Sequence, residues 1–272
     1  MIVSDYLTPL LNASKPILMG IINLTPDSFY GDGIQTSSEL IKQINIFNDA
    51  GVDIIDIGAE SSRPGAISIS SEQEIERLGN CLSLIKKHAS ALISVDTYKA
   101  ETARLVLSEG AHIINDISGG ESNALLELVA KYNASIVLMH KQGQPSTMQD
   151  HPSYTDVVIN VKEALSQSIE KARSFGISSI MIDPGIGFGK TLAHNLALLR
   201  HLDSFKPLNC PIVIGTSNKS FIGTLCNADI HERLPGSLAS IIECYRKGAS
   251  IFRVHDVQAT KQAFDVYRAI NE

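Results

Sequence analysis

The segment LISVDTYKAETARLVLSEGAHIINDI, residues 92–117, decides the fold class. It contains a short apolar run (92–95), a helical pattern (99–108) and a second apolar run (113–117), with Gly110 shortly after the helical pattern. A glycine in that position is typical of a helix carboxyl terminus. Both apolar runs are nearly continuous, as expected of strands buried on both faces. The segment therefore predicts a strand–helix–strand unit of a parallel sheet.

The same alternation of strand and helix extends along the chain in both directions. The other apolar runs are 17–22, 52–57, 135–139, 179–182, 212–214 and 251–254, and the other helical patterns are 38–50, 71–88, 123–132, 156–175, 192–202, 234–247 and 258–270. Eight such units in about 250 residues predict a TIM (β/α)8 barrel, an α/β fold with a single domain. A doubly wound open sheet is the alternative. We assign residues 16–272 to the barrel and residues 1–15 to an N-terminal extension, which we expect to form a short hairpin or a plug.

Composition and charge exclude several classes of protein. The 272 residues are 44% hydrophobic and 19% charged, which is ordinary for a soluble globular chain. With 23 Lys and Arg against 29 Asp and Glu, the net charge of −6 does not suit a nucleic-acid-binding protein. The apolar run 17–22 is far shorter than the ~20 residues of a membrane span, and the four cysteines lack C-x-x-C spacing. We therefore expect a cytoplasmic protein with reduced thiols, no nucleic-acid partner and no membrane contact.

Polar or charged side chains occur at the end of every predicted strand. From the first strand to the eighth they are Asn23; Asp56 with residues 60–63; Asp96; Asn115; His140; Asp183; residues 217–220; and Arg253, His255 and Asp256. The functional residues of a TIM barrel come from the carboxyl ends of the strands and the loops that follow them. Since burying charge without a purpose costs several kcal/mol, this pattern predicts one functional end of the barrel.

Five of these residues suit an anionic ligand and a metal ion. Ser62 and Arg63 combine a hydroxyl with a guanidinium, which binds phosphate in a bidentate manner. Arg253 and His255 lie on one side of the last strand by its two-residue period and form a cationic pair. Asn23 offers a neutral oxygen ligand for Mg²⁺. Each has a structural alternative: a capped turn after Asn23, a solvated turn at Ser62 and Arg63, and a structural role for Arg253 and His255.

Four further residues suit a heterocyclic ring. Asp96, Asn115 and Asp183 each end an apolar strand, and together they can accept hydrogen bonds from the amino and amide groups of a ring such as a pterin. Lys219, after the seventh strand, could donate to a ring oxygen or nitrogen. Helix N-caps are the structural alternative, which fits Asp96 and Asp183 better than Asn115.

The glycine-rich segment DPGIGFGKT, residues 183–191, does not match a nucleotide-binding motif. Pro184 stands where a P-loop requires its first glycine, and Lys190 stands where the dinucleotide fingerprint requires its last. A loop that lets the backbone approach a ligand, with Phe188 exposed at its tip, fits better.

Eight motifs in this sequence resemble those of one family, the dihydropteroate synthases, which are folate-pathway transferases and sulfonamide targets. The motifs are MGIINLTPDSF, DIGAESSRPGA, ISVDTYKAE, GAHIINDISGG, MIDPGIGFGKTLAHNLALL, IGTSNKSFIG, ERLPGSLAS and RVHDV, in family order between residues 19 and 257. The resemblance implies a TIM barrel and a homodimer. It also implies that 6-hydroxymethyl-7,8-dihydropterin diphosphate and 4-aminobenzoate give dihydropteroate and diphosphate, with Mg²⁺ as cofactor.

The resemblance also assigns roles to individual residues. Asp96, Asn115, Met139, Asp183 and Lys219 would bind the pterin; Asn23, Ser62, Arg63, Arg253 and His255 would bind the diphosphate; and Pro64, Phe188 and Ser220 would bind 4-aminobenzoate. Asn23 would also ligate Mg²⁺, and Asp27 would help to complete the site. The residues on which the reaction would depend are Asp96, Asp183, Lys219, Arg253 and His255.

The sequence departs from the family pattern in places, and other functions stay open. Asn218 replaces the usual arginine before Lys219, and Lys141 replaces a methionine or similar residue after His140. A noncatalytic pterin-binding or methyltetrahydrofolate-binding barrel is the main alternative, although such a protein needs no diphosphate site. A phosphate-binding aldolase or isomerase would need a strand-end base or a Schiff-base lysine, for which Lys219 is the candidate.

Overall fold

The structure, a computed structural model, describes residues 4–13, 15–24, 36–61, 66, 68–143 and 147–271. Within these ranges the strands are β1 (Ile17–Asn23), β2 (Ile54–Gly58), β3 (Leu92–Asp96), β4 (Ile113–Asp116), β5 (Ser135–Met139), β6 (Ile180–Asp183), β7 (Val213–Ile214) and β8 (Ile251–Val254). All pair in parallel, in the order β6-β5-β4-β3-β2-β1-β8-β7. A bridge between Ile182 and Ile212 joins β6 to β7 and closes the barrel. The predicted TIM barrel is therefore confirmed, and the open-sheet alternative is wrong.

Helices surround this barrel. In the described ranges they are α1 (Ser4–Asn12), α2 (Ser37–Asp49), α3 (Ser71–His88), α4 (Ala100–Ser108), α5 (Asn123–Lys131), α6 (Val157–Ser174), α7 (Leu192–Arg200), α8 (Ser220–Cys226), α9 (Leu234–Arg246) and α10 (Val257–Asn271), with short 3-10 helices at Leu202–Leu208 and Ile230–Glu232. Eight of the α-helices coincide with the predicted patterns, whereas α1, α8 and both 3-10 helices were not predicted. None of these helices is long and apolar enough to cross a lipid bilayer.

Side-chain caps fix where several helices begin. Thr36 and Glu39 form a reciprocal capping box at the start of α2, and Ser70 and Gln73 form another at the start of α3. At α6 the Asp156 carboxylate accepts backbone N–H groups of the first turn. Because these helices follow the loops that leave β1, β2 and β5, the caps define where those loops end.

The N-terminal segment closes one end of the barrel. Of the two expectations for this segment, a short hairpin or a plug, the hairpin is wrong: residues 4–12 form a helix, and Leu7 of α1 is buried. Leu7 packs into a cluster of inward-pointing side chains that come mostly from the amino-terminal ends of the strands: Ile17, Met19, Ile54, Ile113, Val137, Met181, Val213 and Ile251. The opposite, carboxyl end of the barrel is left for polar groups. The boundary of the extension at residue 15 stays a prediction.

Candidate active site

Those predicted polar residues that the structure describes lie together at the carboxyl ends of the strands, which we call the rim. Strand register places Asn23, Asp96 and Asn115 at one level across β1 to β4. On the other side of the barrel, Met139 of β5 pairs with Asp183 of β6. The fold therefore brings residues that are as far apart as 23 and 183 in the sequence to one end of the barrel.

Arg253 is held between two carboxylates at the centre of the rim. Its Nε donates to Asp56 Oδ2 at 2.6 Å, and its Nη2 donates to Asp96 Oδ2 at 3.2 Å. Asp56 also accepts hydrogen bonds from Ser94 Oγ at 2.6 Å and from Asn115 Nδ2 at 3.1 Å. Sequence reasoning noted Asp56 but gave it no role in the site. The available signal was a carboxylate inside an otherwise apolar strand.

The electrostatics of this cluster follow from its burial. Asp56 is fully buried, and Asp96 is 9% exposed. Burial raises the pKa of Asp96 to about 7; Arg253 opposes the rise, whereas Asp56 adds to it. Burial alone would lower the pKa of Arg253, but Asp56 and Asp96 raise it above its ordinary value. The charge of the Asp96 carboxylate therefore changes near neutral pH.

Asp183 lies on the far side of the rim in a second charged cluster. Its Oδ1 accepts the Gly185 N–H at 2.7 Å. Burial raises the pKa of Asp183, while the Gly185 N–H and the positive charges of Lys219, Lys190 and Arg253 favour the charged form. Asp183 is thus a buried acceptor with cations nearby.

The glycine-rich loop after β6 packs against Lys219. The Lys219 ammonium lies 4.2 Å from the centroid of the Phe188 ring, a cation–π distance. Gly187 has φ of +86°, and a Cβ there would lie 3.3 Å from the Lys219 side chain. Asn195 accepts the Gly187 N–H at 2.8 Å, and Gln149 donates to the Gly187 carbonyl at 2.7 Å. Phe188 is therefore half-buried, which corrects the prediction of an exposed ring.

His255 and Ser220 occupy the rim at the seventh and eighth strands. His255 Nδ1 lies 3.0 Å from Ser217 Oγ, which also accepts the His255 N–H at 3.3 Å. Ser220 is exposed and begins α8, directly after Lys219. Met139 is buried at the end of β5.

The turn before Lys219 explains why asparagine is tolerated at residue 218. Asn218 has φ of +58°, a left-handed conformation that asparagine adopts more readily than arginine. Its N–H donates to Ser237 Oγ at 2.9 Å, and its carbonyl accepts from Arg233 Nη1 at 3.1 Å. The backbone of the turn is thus held by the side chains of Ser237 and Arg233.

A buried ionic network that was not predicted lies beside Asp96. The Glu60 carboxylate accepts from Lys99, from Tyr98 OH at 3.1 Å and from Ser68 Oγ at 2.9 Å. Lys99 also donates at 3.2 Å to Glu74, which is 1% exposed. The network ties both ends of the segment between Glu60 and Ser68 to the loop after β3. These side chains come from three elements, so no sequence pattern indicated their contact.

Lys190 is a second buried charge that sequence reasoning passed over, because it was considered only as part of a phosphate-binding motif. It is 3% exposed and contacts His140 and the Phe188 backbone. Four predicted residues, Asp27, Ser62, Arg63 and Pro64, lie outside the described residues, so their placement stays a prediction.

Comparison with known proteins identifies relatives over almost the whole chain. The family model for pterin-binding enzymes matches residues 19–255. The dihydropteroate synthase of Escherichia coli K12 is 43% identical over 262 residues, which covers 95% of this chain and 93% of that protein. The Synechocystis enzyme of the same name is 39% identical over 98% of this chain and 97% of its own length.

Solved structures of the same name share the fold. The Yersinia pestis dihydropteroate synthase in a sulfonamide drug complex superposes with a TM-score of 0.91 at 38% identity and covers 95% of each chain. The Thermus thermophilus enzyme in complex with 4-aminobenzoate gives 0.86 at 37% identity, over 94% of this chain and 95% of that one. With the motifs and the rim, these matches show that the chain belongs to the dihydropteroate synthase family of pterin-binding enzymes.

Proposed function

We propose that the protein is a dihydropteroate synthase, which joins 6-hydroxymethyl-7,8-dihydropterin diphosphate to 4-aminobenzoate and releases diphosphate. One observation carries this proposal: a single rim combines buried acceptors for a heterocycle (Asp96, Asn115 and Asp183) with two hydrogen-bond donors for an anion (Arg253 and His255). The pterin diphosphate has both parts in one molecule.

The pterin binds at the buried acceptors. Asp96, Asn115 and Asp183 are each at most 9% exposed, so hydrogen bonds from the ring N–H groups form in a low dielectric. Lys219 supplies a donor for a ring oxygen or nitrogen and offsets the charge of Asp183. Met139 packs on the ring from the end of β5.

The diphosphate binds at Arg253 and His255. Arg253 is charged and already oriented by Asp56 and Asp96, so little side-chain entropy is lost when an anion arrives. Ser62 and Arg63 complete this subsite in the proposal.

Asn23 suits the Mg²⁺ that the family resemblance implies. Its amide oxygen is a hard donor at the end of β1, beside Gly58. The described residues contain no group of three or more His, Cys, Asp or Glu side chains that could hold a metal ion by themselves. A single amide ligand fits Mg²⁺, which usually keeps several waters and shares substrate phosphates. When bound, the ion would neutralise charge on the leaving group.

The reaction breaks one C–O bond and forms one C–N bond. The C–O bond to the exocyclic methylene breaks, and its electron pair leaves with the diphosphate, whose charge Arg253 and His255 neutralise. The dihydropterin ring delocalises the positive charge that develops on the methylene carbon, and the carboxylates of Asp96 and Asp183 favour that charge. The amine lone pair of 4-aminobenzoate then forms the C–N bond, and the nitrogen loses a proton to solvent. No protein nucleophile is needed.

The 4-aminobenzoate binds between Phe188, Ser220 and Pro64. The ring of Phe188, which Lys219 holds from one side, supplies an apolar wall. The exposed hydroxyl of Ser220 is available to donate to the carboxylate.

Product formation tests the proposal. The protein is incubated with the pterin diphosphate, 4-aminobenzoate and Mg²⁺, and dihydropteroate is detected by mass. A noncatalytic pterin-binding barrel would bind the pterin without forming this product, and that result would refute the proposal.

Variants separate the two subsites. Asp183→Ala and Lys219→Ala are expected to weaken pterin binding, whereas Arg253→Ala mainly slows the step that releases diphosphate. Titration calorimetry with the pterin and steady-state rates distinguish these effects. Equal pterin affinity in all three variants would contradict the assignment. The cytoplasmic location, the homodimer and inhibition by sulfonamides also stay predictions.

A further inference from the structure

Lys190 has the environment of a working part of the site rather than of a solvated lysine. Its ammonium makes three hydrogen bonds, to the Phe188 carbonyl at 2.9 Å, to His140 Nδ1 at 3.1 Å and to the His140 carbonyl at 3.2 Å. An ammonium has three N–H donors, so all of them are used. Burying a charge costs several kcal/mol unless it is paired in this way.

These three bonds connect two strand exits. His140 directly follows β5, and Phe188 lies in the loop after β6. The two segments also meet where the His140 N–H donates to the Asp183 carbonyl at 2.9 Å. At Gly185, with φ of +70°, a Cβ would lie 1.9 Å from the His140 carbonyl. The loop after β6 is therefore packed directly against His140 at the end of β5, and the hydrogen bonds of Lys190 connect the two.

The consequence for the site concerns Phe188. Its carbonyl is held by Lys190, and its ring lies against the Lys219 ammonium. Lys190 thus fixes the Phe188 carbonyl, which positions the ring, while the ring itself faces Lys219. Asp183 accepts the Gly185 N–H, and the charges of Lys219 and Arg253 as well as that of Lys190 favour its charged form.

We propose that Lys190 is a positioning residue that fixes Phe188, and hence the 4-aminobenzoate pocket, by tying the loop after β6 to His140. This inference rests on the proposed function. It assigns to Lys190 an effect on 4-aminobenzoate that is larger than its effect on the pterin diphosphate.

The charge state of Lys190 gives the proposal a second test, the pH dependence of the KM for 4-aminobenzoate. Burial lowers its pKa to about 7; Asp183 favours the charged form, and Lys219 opposes it. The other titratable groups around it are His140, whose pKa burial and Lys190 lower to about 3, and Tyr154, whose pKa burial raises to about 12. Neither of these two changes charge near neutral pH. A neutral amine has only two N–H donors and no charge, so the hydrogen bonds to the carbonyls of Phe188 and His140 weaken as the pH rises through the pKa of Lys190.

The test compares K190M with wild type and with K171M. Lys171, on α6, also donates hydrogen bonds to backbone carbonyls, those of Gly120 and Glu121, at 2.8 and 2.9 Å. K171M therefore removes hydrogen bonds of the same kind at a place that does not contact the Phe188 loop. We expect K190M to raise the KM for 4-aminobenzoate about tenfold and to change the KM for the pterin diphosphate less than about twofold. K171M should leave both unchanged.

K190Q is a second, more conservative variant, in case K190M does not fold. Its amide keeps two N–H donors without the charge, so its KM for 4-aminobenzoate should lie between those of wild type and K190M, with thermal unfolding confirming that each variant is folded. Between about pH 6 and about pH 9, the KM of wild type for 4-aminobenzoate should rise, whereas that of K190M should not follow this rise.

Three results would overturn the proposal: an unchanged KM for 4-aminobenzoate in folded K190M or K190Q, an equal rise for both substrates, or the same pH profile in wild type and K190M. Absence of product from wild type would instead refute the proposed function.

Discussion

At the scale of single residues, Asp96 is a pterin-site carboxylate whose charge state changes near neutral pH. It lies between Arg253 and Asp56, and burial raises its pKa to about 7. In the proposed function, the pterin uses this carboxylate as a hydrogen-bond acceptor. As the pH falls below about 7, protonation removes that acceptor, so pterin affinity should fall by up to about tenfold per pH unit.

Calorimetric titration of the pterin at several pH values checks this expectation. Asp96→Asn should bind the pterin more weakly and with little pH dependence, because its amide does not titrate in this range. A wild-type affinity that stays constant from about pH 5 to about pH 8 would contradict the role of Asp96.

Asp56 is expected to stabilise the fold as well as the site. Asp56→Ala leaves the Arg253 guanidinium without its 2.6 Å partner and removes the acceptor of Ser94 and Asn115. Breaking a buried ion pair from one side costs about 3–5 kcal/mol, and we expect a loss near the lower end because Arg253 is 22% exposed. Chemical denaturation measures it.

The matched control is an exposed ion pair. Lys86 lies 3.4 Å from Glu109, and both side chains are about half exposed. Lys86→Ala should change the free energy of unfolding by less than about 1 kcal/mol. Equal effects of the two substitutions would show that the Asp56 cluster contributes no more than a surface pair.

At the scale of secondary-structure elements, Gly20 sets how closely α2 packs on β1. A Cβ at Gly20 would lie 2.6–3.0 Å from atoms of the Phe47 ring, and Phe47 is fully buried in α2. Gly20→Ala should therefore destabilise the protein by about 1–3 kcal/mol through overpacking.

Gly79 is a glycine at which the same substitution should stabilise the protein. It lies in α3, is exposed, and a Cβ there would meet nothing within 4 Å. Gly79→Ala should stabilise the protein by about 0.5–1 kcal/mol, because glycine is unfavourable inside a helix. Thermal unfolding of both variants tests the pair, and a stabilising Gly20→Ala would contradict the packing argument.

The elements of the barrel were largely predictable, because strands buried on both faces are apolar throughout and the helices between them carry a distinct period. The exceptions have local causes. In α1, Pro9 lies inside the helix, and proline is a poor helix former. β7 is reduced to two residues and joins β6 only through one bridge.

The candidate site was predictable only in part. Side chains at strand ends could be expected at one rim because parallel strands share their direction. Which of them touch depends on pairing between distant parts of the chain: Arg253 and Asp56 are 197 residues apart. Contacts such as those of Glu60 with Lys99, or of Lys190 with His140, become visible only in three dimensions.

At the scale of the whole molecule, the barrel separates stability from chemistry. Leu7 and the inward apolar side chains fill the amino-terminal end, while Asp96, Asp183 and Arg253 lie at the carboxyl end. This polarity is the usual division of a TIM barrel. It leaves one face at which a ring and its linked diphosphate can bind side by side.

A crystal structure of the protein with a nonhydrolysable pterin diphosphate analogue examines that arrangement most directly. We expect the ring to contact Asp183 and Lys219 and the phosphates to contact Arg253 and His255. A ligand bound away from the carboxyl ends of the strands, or phosphates that contact neither Arg253 nor His255, would contradict it.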